Sequence, residues 1–420
     1  MKNLLKTIIF DQQQLGWKSS YVRRKLPEGF LVGESVGIIS GIRRCGKSTL
    51  LHQIREGRAE QDYYFNFDDE RLVHFSVEHF QLLEETFMEL FGVQQSWYFD
   101  EIQNVPGWER FVRRLHDTGH KVFITGSNAT MLSRELGTHL TGRYLRIELF
   151  PFSFNEFLEF KGVEVSDKAV HKSESRAALI HLFSDYSRQG GFPVFLREGN
   201  PEYLKSLYES ILYRDVMVRN QITNEKELLE LVYFLAGNTA RPTSYNALTK
   251  VTGLKHPATV KSYMSFLEDA YLLFQVSKYD YSVKKQIHNA RKIYFIDNAL
   301  VRKVGFLFTE ESGRLLENLV FLELRRRQKE VFYHLDKREC DFLVREGTRI
   351  VQAIQVCEHT EQPKTFDREI AGLTEAMETY GLRTGLLLLR DCREQTFSTP
   401  SGLEIHQMPV WKWMLFPNRE

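Results

Sequence analysis

The run Gly41-Ile42-Arg43-Arg44-Cys45-Gly46-Lys47-Ser48-Thr49 carries the spacing G-x-x-x-x-G-K-[ST], and nothing else in the chain constrains its fold as tightly. It follows a short apolar run, Val36-Gly37-Ile38-Ile39-Ser40, and precedes a stretch from Ser48 to Arg55 that reads as a helix. A loop between a buried strand and a helix N-terminus turns several backbone N–H groups, and the positive end of the helix dipole, toward one point. Such groups suit phosphate oxygens, so Gly41, Arg43, Arg44, Cys45, Gly46, Lys47, Ser48 and Thr49 are the candidate nucleotide-binding residues. Lys47 is placed to neutralise the β- and γ-phosphates and Ser48 to ligate Mg²⁺, which makes ATP and Mg²⁺ the expected ligands.

A second apolar run, Trp97-Tyr98-Phe99, ends in Asp100-Glu101. An acidic pair at a strand end, after a phosphate-binding loop, has the Walker B arrangement. Asp100 can hold Mg²⁺ through water, and Glu101 can orient and deprotonate the attacking water. A third run, Val122-Phe123-Ile124-Thr125, leads into Gly126-Ser127-Asn128, small polar residues at the sheet edge where open α/β folds bind ligands. A helix-like stretch from Ala129 to Leu140 comes next, then Thr141-Gly142-Arg143 and an alternating strand, Tyr144-Leu145-Arg146-Ile147-Glu148-Leu149.

With these motifs in place the chain resembles the AAA+ ATPase superfamily. The resemblance implies a sensor-1 residue at the end of the strand after Walker B, here Ser127 with Asn128 as the alternative. It also implies an arginine finger at the junction before the fifth strand, which Arg143 matches, acting across a subunit boundary in a homo-oligomer. A polar loop start and a surface Arg beside a Gly turn are the ordinary readings of the same two positions. Phe150-Pro151-Phe152-Ser153-Phe154, Gly190-Gly191-Phe192-Pro193 and Leu212-Tyr213-Arg214-Asp215-Val216 look like the helical lid of prokaryotic AAA-type ATPases fused to a domain of unknown function. In such relatives a Gly-x-Pro turn approaches the base, which marks Pro193 as an adenine neighbour, although a plain interhelical turn explains the residues as well.

At 420 residues the chain exceeds one ordinary core, and its 42% hydrophobic and 26% charged composition is that of a soluble globular protein. Met1 to Phe10 is an apolar stretch broken by Lys6, neither a signal peptide core nor a membrane span, so a cytoplasmic location without membrane is expected. Cys45, Cys340, Cys357 and Cys392 are scattered without metal-ligand spacing and read as free thiols. The net charge of +1 conceals an asymmetry: between Arg241 and Gly305 eleven Lys or Arg face four acids. A basic segment is the footprint of nucleic acid, and also of an ordinary solvated face.

From Glu225 to about Ile296 the pattern reads as three helices and two strands, the strands Phe274-Gln275-Val276 and Lys292 to Ile296 forming a hairpin around the basic stretch Lys284-Lys285-Gln286-Ile287-His288. That layout resembles a winged helix, with Thr259, Lys261, Ser262 and Ser265 as groove-facing candidates and Lys284 and Lys285 as phosphate contacts. Winged helices also serve as protein-binding modules. Residues 301–420 resemble the restriction-endonuclease-like PD-(D/E)xK fold. Glu317 stands on the opening helix and Asp341 on a strand, but the next strand reads Ile354-Gln355-Val356-Cys357. Gln355 replaces a carboxylate needed for a divalent cation and Cys357 replaces the Lys, so the domain is expected to be catalytically silent. Trp411-Lys412-Trp413-Met414-Leu415 reads as core packing.

The expected fold class is therefore α/β: an N-terminal helix (1–20), a parallel-sheet P-loop NTPase core of AAA+ type (21–150), a helical lid (151–222), a winged helix (223–300) and a degenerate nuclease-like domain (301–420). The expected function is ATP hydrolysis coupled to DNA, with branched DNA suggested by analogy. The alternative is a nucleotide-controlled signalling scaffold, bound to ADP, whose C-terminal domains bind proteins.

Overall fold

The computed structural model describes residues 1–14, 21–128, 142–166, 172–305, 312–358 and 363–416. The expected helix over Ala129 to Leu140, with Thr141, lies outside the described residues. The chain forms two compact units, Met1–Phe150 with Asp269–Tyr271, and Pro151–Glu268 with Leu272–Glu420.

In the first unit, β1 (Val36–Gly41), β2 (Tyr64–Asn66), β3 (Ser96–Asp100), β4 (Lys121–Gly126) and β5 (Tyr144–Leu149) form one sheet in the order β2-β3-β4-β1-β5. Every neighbouring pair is parallel. Parallel sheets carry helices on both faces, which is why β1 and β3 are continuous buried runs rather than alternating ones. The faces of β3 are split by residue parity. Tyr98 stacks on Phe123 of β4, while Trp97 and Phe99 join Phe80, Phe87 and Phe111 from α3 (Phe80–Phe91) and α4 (Trp108–Asp117). The first helix, α1 (Lys2–Gln14), adds Leu5, Ile8 and Ile9 to that core and pairs Lys2 and Lys6 with Glu89 of α3. At the crossing of β1 and β4 only glycine fits at position 37, since a Cβ there would lie 2.6 Å from the Phe123 ring.

The second unit opens with helices α5 (Phe154–Phe160), α6 (Ser173–Gln189), α7 (Pro193–Glu198) and α8 (Pro201–Ser210). Next come α9 (Glu225–Gly237), α10 (Tyr245–Thr252) and α11 (Pro257–Asp269), with a three-stranded sheet in the order β6 (Pro242–Thr243), β8 (Arg291–Phe295), β7 (Leu273–Ser277). The antiparallel pairing of β7 and β8 is the expected hairpin. The basic stretch of its connection lies in a short helix, α12 (Val283–His288). The rest comprises α13 (Asn298–Val304), α14 (Ser312–Arg326), α15 (Pro363–Tyr380), α16 (Val410–Leu415) and strands β9 (Glu330–Leu335), β10 (Glu339–Glu346), β11 (Arg349–Cys357), β12 (Thr384–Leu389), β13 (Gln395–Ser398) and β14 (Glu404–Pro409). These strands form a mixed sheet in the order β13-β14-β12-β11-β10-β9. Trp411 and Trp413 on α16 are buried, as core packing requires.

The Gly190-Gly191 turn has a packing reason inside this unit. A Cβ on Gly190, whose φ is +66°, would come 2.1 Å from Asp297 Oδ1, and one on Gly191 would come 2.3 Å from the Phe152 carbonyl oxygen. The Gly191 N–H donates to Asp297 Oδ2 at 2.7 Å. Pro193 then fills the first turn of α7, where no N–H is needed.

Candidate active site

The loop after β1 is built by conformations that ordinary side chains resist. Gly41 approaches β5 so closely that a Cβ would lie 2.1 Å from the Leu149 carbonyl oxygen, while Arg44 and Gly46 take φ of +66° and +105°. Gly46 caps α2 (Lys47–Glu56) and has no side chain of its own to accept from the first N–H groups. A helix start without a capping side chain can offer its N–H groups to an anion, the property that a phosphate cradle needs. Arg24, from the segment before β1, donates to the Cys45 carbonyl oxygen at 2.9 Å and braces the loop from outside. Nothing local in the sequence identified it.

At the carboxyl edge of the sheet the structure brings Lys47, Ser48, Asp100, Glu101 and Ser127 together. Lys47 is buried; its ammonium donates to the Ile42 carbonyl oxygen at 3.2 Å and lies 3.4 Å from Glu101 Oε1. Burial works most strongly against that charge, but Glu101, Cys45 and Asp100 together outweigh it and hold the lysine above its ordinary value. Asp100 is 1% exposed, and burial followed by the charge of Glu101 raises its carboxyl, with hydrogen bonds from Thr125 and Ser48 acting against the rise. The Ser48 and Asp100 oxygens thus face one another, a hard-oxygen pair that suits Mg²⁺. Glu101 adopts φ +51° at the strand end and accepts from Gln103 and, at 3.1 Å, from the Ser127 hydroxyl. Burial would raise its pKa, yet Lys47, Gln103, Arg43 and Ser127 together hold it below the ordinary carboxylate range.

Thr125 is the residue that sequence reasoning passed over. Its hydroxyl donates to Asp100 Oδ1 and accepts from the Glu101 N–H at 2.9 Å, fixing both acids at once. Asn128 is buried beside Ser127. Arg143 lies elsewhere. Its carbonyl accepts from the Val36 N–H at 2.8 Å, so it stands where β1 begins, whereas the phosphate loop stands where β1 ends. Five strand residues, about 17 Å, separate the two edges, and the Arg143 guanidinium is half exposed near Asp117. Arg143 thus stands at the opposite edge of the sheet from the phosphate loop of its own chain.

A family model described as an AAA domain matches residues 34–158, and one described as a domain of unknown function (DUF8612) matches residues 180–311. The chain is 33% identical over 432 aligned positions to the uncharacterized protein MJ1544 of Methanocaldococcus jannaschii, covering 99% of this chain and 96% of that one. This chain belongs to that protein's family. An uncharacterized protein of Haemophilus influenzae is similar too, 33% identical over 350 residues, 78% of this chain and 84% of its own. The AAA domain spans the loop, the acidic pair and Ser127, so the family carries an AAA-type P-loop core. Among solved structures the chain is similar to the ORC2 protein of Aeropyrum pernix in its ADP form (TM-score 0.33, 13% identity, 61% of this chain and 90% of that). It is likewise similar to RuvB of Thermotoga maritima (TM-score 0.27, 14% identity, 66% and 88%). Likeness that distant has no bearing on activity.

In the second unit Lys261, Ser262 and Ser265 are exposed on α11 and Thr259 is half-buried, while Lys284 and Lys285 are exposed on α12. The basic excess of Arg241 to Gly305 overstates the surface charge, because Lys292 is fully buried among carboxylates. Its ammonium lies 2.8 Å from Glu317, 2.9 Å from Asp341 and 2.5 Å from Glu339. Gln355 and Cys357 are buried as well, and Gln355 donates to Asp341 Oδ2 at 2.9 Å. Glu358 turns to Arg390. No described helix is long and apolar enough to cross a membrane.

Proposed function

We propose that this protein is an AAA+ ATPase that binds and hydrolyses ATP with Mg²⁺ and couples nucleotide state to DNA binding. The observation that carries the proposal is the convergence of Lys47, Ser48, Asp100 and Glu101 beside the uncapped start of α2. The loop N–H groups, from Gly41 to Thr49, and Lys47 take the phosphate charge. Ser48 and Asp100 would hold Mg²⁺, which would supply positive charge against that of the phosphates. Glu101, kept ionised and oriented by Ser127 and Gln103, accepts a proton from the attacking water. Pro193 is the proposed adenine neighbour. Because Arg143 stands at the opposite sheet edge, it is proposed to act on the nucleotide of a neighbouring copy in a homo-oligomer.

The DNA contact is assigned to α9 through β8, proposed to be a winged helix, with Thr259, Lys261, Ser262 and Ser265 toward the groove and Lys284 and Lys285 toward phosphate. Support comes from the exposure of all but one of these side chains. The mixed sheet that follows is read as a nuclease-like domain without cutting activity, since Gln355 and Cys357 stand where a carboxylate and a lysine would be needed. A cytoplasmic location is proposed with it. Steady-state hydrolysis measured with duplex, single-stranded and four-way-junction DNA tests the coupling. Stimulation by DNA is expected, strongest with the junction; rates indifferent to every DNA, with no salt-sensitive binding, would remove DNA from the account.

A further inference from the structure

A cavity of about 1070 Å³ lies in the second unit, with Glu317, Glu339, Asp341, Gln355 and Glu369 among its lining residues and Arg241, Lys337, Arg338 and Arg368 around them. Its volume reaches the top of the small-molecule range, roughly 300–1,000 Å³, which leaves room for several linked phosphates. Each of the carboxylates is held against a cation. Glu317, Glu339 and Asp341 are gathered on the Lys292 ammonium, Glu358 is paired with Arg390, and Glu369 with Arg368. Arg241, Lys337 and Arg338 line the same cavity, are exposed, and have no carboxylate partner among the described residues. The turn carrying two of them is fixed, because the Lys337 and Arg338 N–H groups both donate to Glu375 Oε1 at 3.1 Å.

Lys292 comes from β8, whereas Glu317 comes from α14 and Glu339 and Asp341 from β10. Tyr294, two residues on along the same strand face, donates to Glu317 Oε1 at 2.6 Å, and the Val356 N–H donates to Asp341 Oδ2 at 3.0 Å. Burial opposes the Lys292 charge, but Asp341 and Glu317 overcome it and keep the ammonium protonated. Three carboxylates left alone would collect a divalent cation; the Lys292 ammonium takes that place among them and offsets part of their charge, while Arg241, Lys337 and Arg338 supply the positive charge of the lining.

We propose that this chamber is a metal-independent binding site for a phosphodiester strand, in which Lys292 replaces a divalent cation at the floor and Arg241, Lys337 and Arg338 take the phosphates. The inference rests on the reading that the protein binds DNA and names a second surface for it.

Binding of a fluorescein-labelled single strand by the nucleotide-free full chain in EDTA tests the proposal. Wild-type affinity should be unchanged by Mg²⁺ and by millimolar inorganic phosphate. Lys337→Ala with Arg338→Ala should weaken binding about tenfold and reduce the salt slope by about 1.4, two phosphate contacts at roughly 0.7 each. Lys292→Met should bind more weakly in EDTA and recover when Mg²⁺ is added, a response that a purely structural lysine would not produce. Should that variant fail to fold, Glu339→Gln, which removes one of the carboxylates around Lys292, should tighten binding without metal. Wild-type binding that needs Mg²⁺, or that is displaced by inorganic phosphate, overturns the proposal. Binding that survives Lys337→Ala with Arg338→Ala but not Lys284→Glu with Lys285→Glu overturns the chamber alone. No binding by the wild type overturns both the chamber and the DNA reading.

Discussion

Replacing Thr125 by Val isolates the one side chain that fixes both acids of the candidate active site. Valine has nearly the same shape, so no cavity opens at this fully buried position. What is lost is a hydroxyl donor to Asp100, a hydrogen bond to a charged group worth about 1.5–3 kcal/mol. The Glu101 N–H also loses its acceptor, and an orphaned buried donor costs about 1–3 kcal/mol. A destabilisation of about 3 kcal/mol is therefore expected, read as a lower urea midpoint for the first unit through Trp97 and Trp108, both of which are buried there. The effect on hydrolysis should be larger than on nucleotide affinity. Glu101 sits at φ +51° and relies on that hydrogen bond for its placement; a shift of about 1 Å costs on the order of a hundredfold in rate. Thr125→Ser, which keeps the hydroxyl and loses only a methyl, should lose about 1 kcal/mol and retain most of the activity. If Thr125→Val matched Thr125→Ser in both stability and rate, the role given to the hydroxyl would be wrong.

Three further outcomes follow from the geometry. Arg143→Ala should keep nucleotide affinity and lose hydrolysis, and mixing it with Lys47→Ala subunits should restore activity, since each supplies what the other lacks; mixed oligomers that stay inactive would count against action in trans. Gly190→Ala should lower the stability of the second unit by about 2–3 kcal/mol, because the new Cβ meets Asp297 at 2.1 Å in a left-handed backbone; a neutral result in thermal unfolding would show that the turn yields. Asp297 itself should give a pH signature. Burial raises its carboxyl from 3.8 to about 6 despite N–H donation from Gly191 and Ala299, so its contribution to stability is complete below pH 4 and lost as pH rises through 6. The wild type should therefore lose about 3 kcal/mol over that window relative to Asp297→Asn, and parallel pH profiles for the two would contradict it.

The ATPase-like core was legible because its strands are continuous apolar runs and its loop has fixed spacing. The runs from Val36, Trp97, Val122 and Tyr144 all became strands of one parallel sheet, and Asp100 and Glu101 fell at the strand end that faces the loop. Thr125 escaped because a threonine inside Val-Phe-Ile-Thr reads as an ordinary strand former, and only the neighbouring strand reveals what its hydroxyl touches. Lys292 escaped for the opposite reason. In Arg-Lys-Ile-Tyr-Phe it looks like a surface lysine, and the acids that hold it stand 25 and 49 residues away in sequence. What packs on the Gly190-Gly191 turn leaves no local trace in the sequence, because Asp297 lies 106 residues beyond Gly191. The helix at Val283–His288 is too short to leave a periodic signature in the sequence.

The central claim, that this site hydrolyses ATP with Glu101 as the base, is tested most directly by measuring ATP binding and steady-state phosphate release on the wild type, Lys47→Ala and Glu101→Gln together. The account predicts hydrolysis by the wild type alone, no binding by Lys47→Ala, and undiminished Mg²⁺-dependent binding by Glu101→Gln, because the amide leaves Ser48 and Asp100 in place. Phosphate release by Glu101→Gln at the wild-type rate, or tight ATP binding by Lys47→Ala, would contradict it.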